Sequence, residues 1–76
     1  TVINYTVPLL GGSRSGISVK LTVYNVLGQK VKELVNESQL AGHYSVTFEA
    51  RGLSSGIYIY RLKAASFVQT GKMLLV

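Results

Sequence analysis

LSSGIYIYRLKAASFVQTGKMLLV, residues 53–76, decides the fold. A Ser-Ser-Gly turn ending at Gly56 feeds a run of strict alternation. Tyr58, Tyr60 and Leu62 fall on one side, and Ile57, Ile59, Arg61 and Lys63 on the other. Period two over this length is the signature of a half-buried β-strand, with the aromatic side turned inward and the charged side wet. A short loop follows. Then Lys72 heads an apolar run, Met73 to Val76, that reads as a final strand. A strand at the end of a chain is open to a partner, a geometry better suited to an address tag than to an active site.

The same grammar extends back to the first residue. Strands are expected at Val2–Val7, closed by Pro8, which lacks a backbone donor, and at Ile17–Asn25, with Val19, Leu21 and Val23 on one face. Further strands are expected at Lys30–Val35, His43–Glu49 (Tyr44, Val46 and Phe48 inward), Ile57–Lys63, Ser66–Thr70 and Lys72–Val76. Loops fall at Leu10–Gly16, Asn36–Gly42 and Ala50–Gly56. Val26-Leu27-Gly28-Gln29 reads as a tight turn with Gly28 at positive φ. Val31 and Leu34 break the alternation of the third strand, which implies a bulge or a short helical turn. No segment has helical period, and short strands at intervals of about 8–12 residues indicate an all-β fold. The expected architecture is a small immunoglobulin-like antiparallel β-sandwich of about seven strands, one domain spanning residues 1–76.

Composition bounds the rest. Seventy-six residues lie near the lower limit for a core without staples, and there is no cysteine to supply disulfides or thiolate metal sites. The apolar 47% must therefore go mostly into the core, leaving little for a ligand cavity. The formal charge is +5, from eight Lys and Arg against three Glu. These cations are scattered in sequence with no run of four, so they read as a solvated basic surface rather than a nucleic-acid site. No stretch approaches the ~20 apolar residues of a membrane span. The chain starts at Thr1 in strand-like sequence, which suggests the excised end of a longer precursor, with any export signal left at the far end of that precursor.

Catalytic groups do not converge. His43 is the single histidine, best read as a turn or surface residue, and Glu33, Glu37 and Glu49 do not pair as carboxylates for acid–base work unless Glu33 and Glu37 share a helical face. Gly11-Gly12…Gly16 lacks the Lys-Ser/Thr ending of a phosphate loop. Asn4-Tyr5-Thr6 and Asn36-Glu37-Ser38 match the glycosylation acceptor pattern, which often arises by chance. Tyr58-Ile59-Tyr60-Arg61 would make a stacking platform only if aromatics and cations shared a face, and alternation separates them. The sequence thus points to no enzyme, no metal and no cofactor.

Three segments carry a resemblance: VKLTVYNVLGQKVKELV (19–35), AGHYSVTFEARGLSSGIYIYRL (41–62) and GKMLLV (71–76). In that order and spacing the chain resembles the type A C-terminal sorting domains of type IX secretion (Por secretion) cargo in Bacteroidetes-type bacteria. The family pattern is a strand ending Tyr-Asn/Asp-x-Leu-Gly, then Val-x-x-Leu and Ala-Gly, an aromatic strand, Leu-x-x-Gly-x-Tyr, and a closing Lys with apolar residues. Two features depart from it. No Asn-Pro-rich stretch precedes the first strand, and the last residue is Val76 rather than Lys or Arg, as in a fragment trimmed at its edges.

The resemblance implies a non-catalytic signal. It directs cargo through the type IX outer-membrane translocon and its shuttle proteins, and a sortase-like surface protease usually then removes it. Recognition is expected at Gly56, Tyr58 and Leu62, and at Lys72 with Met73, Leu74, Leu75 and Val76, through strand addition at the last strand. The alternative role for Tyr58 and Leu62 is core packing, and for Lys72 edge protection. A monomer or a weak strand-mediated dimer is expected. The rival function is an immunoglobulin-like carbohydrate- or surface-binding accessory module, which would display exposed aromatics. A spacer or assembly domain ranks third.

Overall fold

The computed structural model describes residues 1–9, 16–49 and 51–75. The loop expected at 10–16 (save Gly16), Ala50 of the loop before Gly56, and Val76 lie outside them. Six strands form: β1 (Val2–Val7), β2 (Ile17–Tyr24), β3 (Lys30–Gln39), β4 (Gly42–Thr47), β5 (Gly56–Ala64) and β6 (Phe67–Leu75). They make two antiparallel sheets, β1-β4 and β3-β2-β5-β6. The strand order parallels that of an immunoglobulin-type sandwich in which β1 and β4 would stand at B and E and the larger sheet at C′-C-F-G. Strands A and D have no counterpart among the described residues.

The sheets meet on the faces that alternation selects. Ile3, Tyr5 and Val7 of β1 join Phe48 after β4, and oppose Val19, Leu21 and Val23 of β2 with Tyr58, Leu62 and Ala64 of β5. Tyr44, Val46, Tyr60, Phe67 and Met73 close the margins of this core. Tyr5 stacks on its cross-strand partner Tyr44 at 5.5 Å between centroids, and Phe48 meets Tyr58 across the sandwich at 6.5 Å. Such aromatic pairs add about 0.5–1.5 kcal/mol beyond their buried area.

Beyond one-residue shifts at strand ends, three boundaries differ from the sequence reading. The expected sixth and seventh strands are one, because Gly71 is no break: it pairs with Tyr60 in mid-ladder, and the tyrosine ring lies over it where a Cβ would stand. A glycine covered by a cross-strand aromatic keeps the strand continuous. Next, β3 runs on through Gln39, since Asn36, Glu37 and Ser38 pair with Lys20, Val19 and Ser18 although none is apolar. An edge strand needs only one partner and no buried face there. Finally, β4 ends at Thr47, with Phe48 and Glu49 beyond it, although Phe48 still bonds Thr1 through its backbone N–H.

The irregularity at Val31 and Leu34 is a pair of β-bulges: the β2–β3 register shifts between Leu21 and Thr22 and between Val23 and Tyr24, passing over those two residues. The turn joining β2 and β3 is stapled by Asn25. Its side-chain carbonyl accepts from the N–H of Leu27 at 2.9 Å and of Gln29 at 3.0 Å, while its backbone carbonyl accepts from Gly28, whose φ is 82°.

Candidate functional site

The residues singled out in the sequence converge on the β5–β6 hairpin. Gly56 pairs with Leu75, Tyr58 with Met73 and Leu62 with Gln69, while Ile57 and Ile59 pair with Leu74 and Lys72. The pleat then divides them. Tyr58, Leu62 and Leu75 are buried and Met73 half-buried, on the core side. Lys72 and Leu74 are exposed on the outer side, Leu74 to 64%, beside Ile57 and Ile59. Val76 lies outside the described residues.

Tyr58 is fixed at both ends of its side chain. Its ring packs against Phe48, and its hydroxyl donates to the carbonyl of Ser54 at 2.8 Å, four residues back. The bond ties the loop before β5 to the strand, in the manner of the tyrosine corner of immunoglobulin-type sandwiches. Leu-Ser-Ser-Gly-Ile-Tyr (53–58) supplies it directly. Gly56 opens β5 at φ 145°, a conformation disfavoured for residues with a Cβ, and Leu53 tucks against the core. Tyr60 also faces inward, half-buried over Gly71. The aromatic residues of this strand therefore form no exposed platform.

The four-stranded sheet has two edges, and they are built differently. β3 carries both bulges and four charged side chains, Lys30, Lys32, Glu33 and Glu37. Lys30 donates to Glu33 at 3.2 Å, and this hydrogen bond holds the Glu33 carboxyl below the usual glutamate range against the opposing effect of desolvation, helped by the nearby charge of Lys20. Bulges and charges blunt an edge against pairing. β6 has neither device in that measure. Its nine residues pair with β5 without a register shift, and Lys72 is its single charge. Its outward side chains are Val68, Thr70, Lys72 and Leu74. Among the described residues, no strand pairs with the backbone donors and acceptors of β6 on the side away from β5.

His43 sits exposed on β4, where its Nδ1 lies 3.0 Å from the Thr6 hydroxyl of the neighbouring strand. It contacts no carboxylate among the described hydrogen bonds and ion pairs. Sequence reasoning overlooks Gly71 and its covering tyrosine, and it reads the Arg61 and Lys63 side of β5 only as a wet face. The signal for the first is the placement of Tyr60 and Gly71 at registered positions, which pairing alone reveals.

No curated protein and no solved structure matches the chain. The family described as secretion system C-terminal sorting domain matches residues 3–76. That match spans both sheets, the corner and the β6 edge. The chain therefore belongs to the secretion system C-terminal sorting domain family, the signals that send cargo by type IX secretion through the outer membrane to the cell surface or beyond.

Proposed function

We propose that the secretion machinery reads this sorting signal at the open edge of β6, by adding a strand of its own to the β3-β2-β5-β6 sheet. Main-chain hydrogen bonds along the edge supply affinity common to every cargo, while outward side chains at alternate positions supply the choice of partner. Lys72 and Leu74 are the side-chain determinants in the described part of the edge, and Val76 continues the same run in sequence. Met73 and Leu75 seat the strand on the core, and Gly56, Tyr58 and Leu62 hold β5 in register behind it. The domain catalyses nothing. It is a unit carried by a larger cargo, contacted by translocon and shuttle proteins and then by a sortase-like surface protease.

The observation that supports this reading is the contrast between the two edges of one sheet. One is bulged and carries four charges, the other is regular, nine residues long and carries one, Lys72, beside Val68, Thr70 and Leu74 at its outer positions. A long regular edge invites pairing and is normally blunted unless pairing is its use. The accessory-module reading loses support because the aromatics of β5 face the core.

The test places residues 1–76 behind a periplasm-directed fluorescent reporter in a bacterium with type IX secretion. Delivery of the reporter to the surface or medium, lost on deletion of the translocon, is the expected result. Delivery that persists without the translocon, or reporter held in the periplasm with a folded domain, overturns the reading.

A further inference from the structure

The cations that look scattered in sequence gather on one face. On the outer side of the four-stranded sheet, the registers place Lys30, Tyr24, Ile59 and Lys72 in one row across β3-β2-β5-β6. The next row is Glu33, Thr22, Arg61 and Thr70, and the third is Asn36, Lys20, Lys63 and Val68. Five of the eight basic residues stand here, against one acid, Glu33, already bonded to Lys30. Lys20 and Lys63 are direct cross-strand partners. Like charges opposite one another destabilise a sheet, so this pair is a cost the fold carries. Both lysines border two shallow concavities, one of about 200 Å³ with Thr22, Tyr24 and Arg61, the other of about 210 Å³ with Ser18, Asn36 and Ala65.

We infer that this face lies against an anionic lipid headgroup surface. Three features choose that occupant. First, the centre of the patch is charged: Lys20, Arg61 and Lys63 stand on the two inner strands, β2 and β5, whereas the centres of protein interfaces are depleted in lysine. Second, nucleic-acid binding on a sheet stacks bases on exposed aromatics. Among the described residues the ring on this face is Tyr24 alone, half-buried, while Tyr5, Tyr44, Phe48, Tyr58 and Tyr60 turn to the core. Third, exposed Ile57, Ile59, Val68 and Leu74 lie on the same side toward β6. Cations with aliphatic residues beside them suit the boundary between phosphate headgroups and acyl chains, where lysine stems lie along apolar surface and their ammonium groups stay wet. A sheet face offers a plane of charges to a plane of phosphates. An exported signal that crosses the outer membrane meets such a plane.

The experiment measures co-sedimentation of the 76-residue chain with vesicles of equal parts phosphatidylglycerol and phosphatidylcholine, and with vesicles of phosphatidylcholine alone. Binding is expected only to the anionic vesicles. It should collapse as salt shortens the Debye length from about 10 Å at 0.1 M to about 3 Å at 1 M. Replacing both Lys20→Gln and Lys63→Gln should weaken it about 25-fold, at about fivefold for each cation near the surface. Its melting temperature should match or exceed the parent's, because a repulsive pair is gone. The control pair Lys32→Gln with Arg51→Gln removes the same charge elsewhere, and should change binding no more than about twofold if the face rather than net charge is read. Equal losses for the two pairs overturn the assignment of the face. Tighter binding to single-stranded DNA or to polyglutamate than to the anionic vesicles overturns the assignment of the lipid. Absence of vesicle binding overturns the inference altogether. Should the double variant fail to fold, the salt titration and competitor arms on the parent chain decide it.

Discussion

Three single residues test how the site is held. Tyr58→Phe keeps the ring against Phe48 and removes only the hydroxyl that donates to Ser54. Ser54 is exposed and water replaces its lost donor, so the cost is about 1 kcal/mol, or ~4–8 °C in melting temperature for a domain of this size. Thermal denaturation followed by circular dichroism checks this. Gly71→Ala is more severe. A Cβ there overlaps the ring and hydroxyl of Tyr60, so the ring must leave or the hairpin must open, at about 1–3 kcal/mol as for other overpacked sites. Pairing it with Tyr60→Leu should restore part of the loss, as a double-mutant cycle reads directly. Ala65 points the other way. It holds φ 53° in the two-residue connection between β5 and β6, where a side chain is strained. Ala65→Gly should raise stability by about 0.5–1 kcal/mol in a urea unfolding curve, with the m-value unchanged.

At the scale of the elements, alternation along the chain makes most of the sandwich legible in the sequence. The inward sets Val19-Leu21-Val23, Tyr44-Val46-Phe48 and Tyr58-Tyr60-Leu62 all turn to the core side, because period two admits one choice once a face is buried. The Asn25–Gln29 turn is equally plain, and the broken alternation at Val31 and Leu34 marks the two bulges. Edges are harder. The polar extension of β3 through Gln39 is set by pairing with β2, not by its own composition, and the unity of β6 depends on a ring borrowed from β5. For the candidate site, the residues named from sequence fall in one hairpin, but sequence does not show how the pleat divides them. Gly56, Tyr58 and Leu62 face the fold, Lys72 and Leu74 face outward, and only the register shows which is which. Recognition at the β6 edge then predicts that outward substitutions which leave the core untouched will disturb export, while conservative inward ones act through stability.

Taken whole, the molecule is a thin sandwich whose two large surfaces do different work. The inner faces absorb the apolar and aromatic residues. The outer face of the larger sheet carries most of the net charge, and its β6 margin carries the open backbone edge. Family membership explains why such a chain needs no catalytic cluster, since a sorting signal needs only to fold and be read. Whether it is read at β6 is decided by comparing surface delivery of the fused reporter for the parent and for Leu74→Lys, which adds a second charge to the exposed edge without touching the core. Delivery should fall by more than about tenfold, equivalent to ~1.4 kcal/mol of lost docking, with the melting temperature unchanged. Delivery at the parent's level with the extra lysine in place would contradict recognition at this edge.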